Sequence, residues 1–258
     1  QVLTQTALGF IAFTIGNEFR LGQLKAMGKS AIIIGVLQAV ITTVLVDLIL
    51  IGLHLLWPDM ISLPCALTLG AIASATAPAA TLMVVRQYKA DGPLTRLLML
   101  VVAIDDAVGL LLFSVSFGIA TALAHGQVSV VAVAVEPIVE VVLSLGLGAV
   151  MGWLLHFTEQ FFHSRSKRMS LSVAFVLLTV GLSTLHFDVA GIHCGFSLLL
   201  VCMMTGTVFC NICDTSLELM DRIEGWTVPL NILFFVISGA ELDLKILANP
   251  ITLLVGVI

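Results

Sequence analysis

Apolar residues run through this chain in long blocks, without the one-faced or alternating patterns of a soluble domain. The blocks lie at Leu3–Asn17, Ala31–Leu56, Leu63–Val85, Leu94–Leu123, Val128–Phe157, Leu171–Phe187, Ala190–Phe209 and Val228–Ala240, and a further one opens near Ile251. Apolar runs of about 18 residues or more read as membrane-spanning helices. The pattern predicts an all-α polytopic membrane protein of about eight full spans plus a partial ninth, at ~20 residues per span. Asp214–Glu224, between the seventh and eighth spans, reads as a short amphipathic interfacial segment.

The basic residues give the spans a direction. Arg20, Lys25 and Lys29, then Arg86, Lys89 and Arg96, then Arg165, Lys167 and Arg168, and finally Arg222 fall in alternate loops, leaving only Lys245 on the opposite side. Positive residues next to spans stay cytoplasmic, so these four loops are expected to face the cytoplasm. Trp57, Tyr88 and Trp226 stand at expected span ends, where aromatic rings favour the interface.

Composition agrees and narrows the class. Of 258 residues, 59% are hydrophobic and 10% charged, against about 45–50% and about 25% in soluble domains. The spans leave no room for a soluble domain, and the net charge of -5 points to no nucleic-acid partner. The chain has no initiator Met and its last residues, Ile251–Ile258, carry no charge, so further segments are expected at both ends. Five cysteines in or beside apolar segments argue against a secreted disulfide framework. Cys210 and Cys213 form a lone CxxC, read as ordinary buried thiols ahead of a metal or redox pair.

Against this apolar background the polar residues inside spans stand out. Asp105 and Asp106 lie eleven and twelve residues into the fourth span from Leu94, roughly 16–18 Å deep. A carboxylate at that depth costs on the order of 2.5–3.5 kcal/mol to insert, which marks the pair as functional. The third span is interrupted at the same level by Ser74-Ala75-Thr76-Ala77-Pro78-Ala79-Ala80. Proline removes a hydrogen-bond donor and clashes with the preceding turn. A discontinuous helix is therefore expected, with Ser74, Ala77 and Pro78 at the break, its freed carbonyls and the Thr76 hydroxyl completing an ion site. Asp47, about ten residues from Trp57, is either a proton relay or a carboxylate tied to a neighbour's hydroxyl. Glu136 and Glu140 flank Pro137 in the fifth span and serve either as structural glue or in transport. His186 and His193 are read as interfacial.

Two span ends match each other. Gly16-Asn17-Glu18-Phe19-Arg20-Leu21 and Gly239-Ala240-Glu241-Leu242-Asp243-Leu244 share G-x-E-[FL]-x-L, seven spans apart. An odd separation makes the copies run in opposite directions, as in the inverted repeats of secondary transporters.

With these residues in place, Ala75-Thr76-Ala77-Pro78-Ala79-Ala80-Thr81, Gly92-Pro93-Leu94-Thr95 and Ala103-Ile104-Asp105-Asp106-Ala107 resemble the monovalent cation:proton antiporters, both bacterial sodium/proton antiporters and the membrane domains of potassium-efflux systems. The resemblance covers essentially the whole chain. It implies the inverted-repeat antiporter fold and alternating-access exchange of Na+, or K+ or Li+, for protons, with no cofactor beyond the transported ion and no enzymatic activity. Asp106 would be the principal cation ligand and proton carrier, with Asp105 beside it and Thr76 contributing from the broken helix. The resemblance also implies a homodimer in the cell membrane, as in a bacterial inner membrane. Residues 28–123 would be the ion-binding core, 124–167 a connecting helix, 1–27 and 168–245 the scaffold and dimer helices, and 246–258 the start of the second core repeat. Two departures matter. Many members carry Thr-Asp-Pro where this chain has Thr76-Ala77-Pro78, and the family's basic partner and second broken helix fall beyond Ile258.

Two other functions compete. A sodium-coupled organic-anion symporter on the same architecture would need a polar cavity that the small apolar residues around Thr76 do not supply. An intramembrane aspartic protease needs two carboxyls facing across one site, whereas adjacent residues on a helix point about 100° apart.

Overall fold

The computed structural model describes residues 2–22, 29–58, 61–76, 84–85, 87–90, 92–124, 130–162, 164–185, 187–189, 192–213 and 215–242; within these, the side chains of residues 18, 29, 96, 99–100, 103, 106, 130–136, 187–189, 192–194, 221 and 224 are not described. The helices are α1 (Val2–Glu18), α2 (Lys29–Leu56), α3 (Leu63–Ala73), α4 (Pro93–Ala124), α5 (Val130–Glu159), α6 (Arg165–Ser183), α7 (Leu198–Ile212) and α8 (Ser216–Ala240). Stretches of α2, α4, α5 and α6 are long and apolar enough to cross a membrane, and four shorter apolar helices accompany them. The outward face of α2 leaves Ile33, Leu37, Val44, Leu48 and Leu55 exposed. A face that apolar is stable against lipid, because the helix satisfies its own backbone polar groups.

Two groups of helices pack. In the first, α2, α3 and α4 lie against one another. Ala31 and Ile104 close the contact of α2 with α4, and Leu50, Ile61 and Ala66 close that of α2 with α3. In the second, α7 is the central strut between α1 and α5, with α6 and α8 alongside. Its core is Phe10 and Phe13 of α1, Leu155 of α5, Val176 and Val180 of α6, Leu200 and Phe209 of α7 and Ile223 of α8. Close approach here depends on small residues: a Cβ at Gly148 or Gly152 of α5 would run into the carbonyls of Val201 or Thr205 on α7. Polar bonds reinforce the strut, with Thr205 Oγ1 donating to Gly148 O at 3.2 Å and Thr207 Oγ1 to Gly16 O at 3.0 Å. The groups meet where α4 passes α5, with Gly118 seated on the Pro137 ring.

The structure redraws three boundaries expected from the sequence. The sixth span runs Arg165–Ser183, not Leu171–Phe187, and a short antiparallel hairpin follows it, β1 (Phe187–Val189) on β2 (Ile192–Cys194), with Asp188 opposite His193. Aromatic and β-branched residues such as Phe187, Val189 and Ile192 suit a strand as well as a helix. The seventh span consequently begins at Leu198, not Ala190. Asp214–Glu224 is not a separate interfacial segment: from Ser216 it is the first part of α8, continuous to Ala240, because Leu219, Met220 and Ile223 keep one face buried. Trp226 accordingly sits within α8, its ring 5.3 Å from Phe10, whereas Trp57 and Tyr88 are exposed beyond helix ends. The two G-x-E motifs sit at comparable places, α1 ending at Glu18 and α8 capped by Glu241.

Candidate ion-binding site

Helix α3 starts on a built cap: Ser62 Oγ accepts from Cys65 N at 3.4 Å and Pro64 occupies the first turn. It stops after eleven residues at Ala73, with Ser74 as its C-cap, while Ala75 and Thr76 are no longer helical. Pro78 favours the stop without forcing one, since α5 and α8 run on through Pro137 and Pro229. The Pro78 ring would collide with the carbonyl of Ser74 in a continued helix, and it disfavours helical geometry at Ala77. Ala77 and Pro78 themselves lie outside the described residues.

Helix α4 opens with Pro93, whose fixed φ suits a first turn, and continues unbroken through Asp105 and Asp106. Asp105 is twelve residues past Pro93, about 18 Å along the helix, and is 1% exposed. Thr76 Oγ1 donates to its Oδ2 at 2.6 Å, while its Oδ1 is shielded from solvent and has no partner among the described residues. Gly109, one turn further on, faces Ser74 Oγ and the Ala75 backbone. The structure thus brings together Ser74, Thr76 and Asp105 at the end of the broken helix. Asp106 is part of α4, but its side chain lies outside those described.

Asp47, on α2, joins the same group of helices. Its carboxylate lies against Gly70 of α3, one turn before the break; a Cβ at Gly70 would overlap Asp47 Oδ1 and Cγ. Asp47 Oδ1 is shielded and unpartnered among the described residues. Sequence reasoning did not single out Gly70, since the contact that requires it comes from another helix. Glu140 is half-buried on α5 and engaged. The side chains of Glu136 and His193, and all of His186, lie outside the description.

A second buried carboxylate escaped the sequence reading. Glu159, at the end of α5, is 2% exposed and receives Cys213 Sγ at 3.3 Å, with Arg168 Nε at 3.7 Å. Arg168 also donates to Phe162 O and Thr215 Oγ1, and Arg165 pairs with Glu218 at 2.9 Å. This cluster ties α5, α6 and the start of α8 together on the basic face. Burial pushes the Cys213 thiol up from its ordinary value, the Thr215 hydrogen bond opposes this and the Glu159 charge adds to it, so it remains a thiol donor. Cys210, the other half of the CxxC, turns instead to Phe19 O.

Secondary transporters form midplane ion sites at discontinuous helices whose unwound backbone carbonyls coordinate the ion, and the end of α3 beside the buried Asp105 fits that pattern. The profile of the sodium/hydrogen exchanger transmembrane region matches residues 1–258. The chain belongs to the sodium/hydrogen exchanger family. Members are multi-pass membrane transporters, so the activity at this level is exchange of a cation for protons. None of the curated proteins compared with the chain matches it.

Proposed function

We propose that the chain carries Na+, or K+ or Li+, in exchange for protons by alternating access at Asp105 and Asp106, with Thr76 as an accessory ligand. One observation carries this: Asp105 is buried at mid-span with one oxygen on Thr76 and the other unpartnered among the described residues. A carboxylate so placed must take either a proton or a cation, and the two compete for it. Competition at one site couples the fluxes. The Thr76 hydroxyl and the carbonyls freed where α3 stops supply neutral oxygens of the kind hard cations prefer. Asp106, the next residue on the same helix, is assigned the principal ligand role by the family's motif.

In this reading α2, α3 and α4 form the moving core and α1, α6, α7 and α8 a scaffold that dimerises, with α5 between them. In this reading too, the basic loops face the cytoplasm and the protein works in a cell membrane, as in a bacterial inner membrane. The test is cation-induced proton release from vesicles holding the full-length protein. Asp106→Asn should abolish it, because Asn keeps the shape but neither binds a proton near neutral pH nor offers a full charge. Undiminished Na+/H+ and K+/H+ exchange in Asp106→Asn would reject the single-site mechanism.

A further inference from the structure

Asp47 is absorbed by none of the foregoing chemistry, and it occupies a telling place. It is half-buried on the face of α2 that packs on α3, its Oδ1 shielded and unpartnered among the described residues. Its seat is made by the absence of a side chain: Gly70 leaves room for the carboxylate, one turn ahead of Ser74 and the break. His54 lies seven residues on, on the same face of α2 and two turns nearer the end opposite the basic loops. Its Nδ1 is 2.7 Å from Ile61 O. A carbonyl only accepts, so Nδ1 carries the hydrogen and Nε2 of the neutral ring is a proton acceptor. From that face inward the titratable groups therefore come in the order His54, Asp47, Asp105.

We infer that Asp47 is the proton relay of the half-path between the face opposite the basic loops and the Asp105–Asp106 site. The step is proton transfer alone. His54 Nε2 takes a proton from water at that face, the imidazolium passes it through water to the Asp47 carboxylate and returns to the neutral ring, and Asp47, now a neutral acid, releases it through water to the midplane carboxylate. No electron moves and no bond other than O–H or N–H is made or broken. His54 is about 10 Å away along α2, so water bridges the gaps. Other titratable groups on the helices packed here are Cys65, exposed at the outer end of α3, and Asp105 and Asp106 on α4. Lys29 and Arg96 stand at the other, basic end of α2 and α4. Among the described residues no fixed positive charge pairs with Asp47, which suits a group that must be both filled and emptied. The inference rests on the exchange reading above.

The experiment uses the full-length protein in right-side-out vesicles, with external pH varied at fixed internal pH. Proton flux driven by Na+ is recorded, and Na+ binding is measured separately as the Na+-dependent rise in thermal midpoint of the purified protein. Asp47→Asn should lower exchange by on the order of tenfold to a hundredfold and flatten its dependence on external pH, as loss of a positioned proton carrier does. Na+ stabilisation should stay as in the parent, and Asp47→Glu should restore part of the pH dependence. An unchanged external pH profile in Asp47→Asn would overturn the relay. So would loss of Na+ stabilisation together with exchange, which would make Asp47 part of the cation site. Should Asp47→Asn fold poorly, His54→Gln at the end of α2 decides: a weakened dependence on external pH supports the relay, and an unaltered one rejects it. Absence of exchange in the parent protein would instead defeat the exchange reading itself.

Discussion

Asp105 and Glu159 are equally buried, at 1% and 2% exposure, yet they are treated in opposite ways. Glu159 sits at the end of α5 near the membrane surface with Oε2 on the Cys213 thiol, and its Oε1, though without a hydrogen bond among the described residues, is neutralised by the Arg168 guanidinium at 3.7 Å, while Arg168 is itself bonded to Thr215. Asp105 sits about 18 Å down α4 with a single hydroxyl for company among the described residues. A buried charge with its partners built in is a structural tie; removing it leaves other buried groups stranded. A buried charge without them is stable only if something mobile neutralises it. The difference between the two carboxylates is thus the difference between a rivet and a socket, and each substitution below tests whether that division holds.

Between these two carboxylates and their neighbours, the largest effect on exchange should come from Asp105→Asn. Asn still accepts from Thr76, but it cannot alternate between a proton and a cation. Exchange should fall on the order of tenfold or more, or change its coupling ratio, while the thermal midpoint stays level or rises because a costly buried charge is gone. Flux in vesicles and melting in detergent, measured on one preparation, separate the two. Wild-type exchange with a lowered midpoint would place Asp105 among the rivets.

Glu159→Gln should do the reverse. The charge that meets Arg168 and Cys213 disappears and leaves Arg168 partly uncompensated, so stability should drop by about 1–3 kcal/mol. Exchange per folded molecule should remain within about twofold, since a residue that only ties helices adds little to transition-state energies. A large loss of exchange at full stability would show that the basic-face cluster takes part in transport.

Much of this contrast was legible before the fold. The spans announce themselves because lipid tolerates only long apolar helices, and Lys and Arg mark the loops of one face. Pro78 points to the end of α3, since a missing donor and a ring clash weaken a helix, although α5 and α8 run on through Pro137 and Pro229. The start of α7 was not legible: Phe187, Val189 and Ile192 are apolar enough to continue a span yet form strands. The charged opening of α8 misled in the other direction, because its buried stripe of Leu219, Met220 and Ile223 is recognised only against α1 and α6. Asp47 was visible as an oddity, but its seat on Gly70 was not, because the two are 23 residues apart by number and meet only when α2 folds back on α3. The pairing of Glu159 with Cys213 is hidden for the same reason.

A smaller effect probes the socket's rim. Thr76→Val keeps the shape of the side chain and removes its hydroxyl, so the 2.6 Å bond to Asp105 is lost. A hydrogen bond to a charged group is worth about 1.5–3 kcal/mol, but in this reading the cation or proton that neutralises Asp105 replaces part of it. The apparent cation affinity should therefore change severalfold while the maximal rate changes less, seen as a shift in the half-saturating Na+ concentration. If both stay fixed, Thr76 is a bystander and the neutral ligands come from the freed carbonyls alone.

The smallest effect should come from Arg165→Ala, and its smallness is the point. Arg165 and Glu218 approach at 2.9 Å, shorter than the 3.7 Å between Arg168 and Glu159, so distance alone would rank it the stronger tie. Exposure reverses the ranking. The side chains are 71% and 51% exposed, so water and salt screen them, and Arg222 stands at 3.8 Å as a second partner for Glu218. Exposed pairs contribute about 0–1 kcal/mol, which puts Arg165→Ala near the floor of a melting measurement, and the remaining difference should vanish in high salt. A loss as large as that of Glu159→Gln would mean that the cluster acts as one network whose outer pairs hold the inner one in place, and Arg165→Ala combined with Glu159→Gln would then cost less than the two changes added separately.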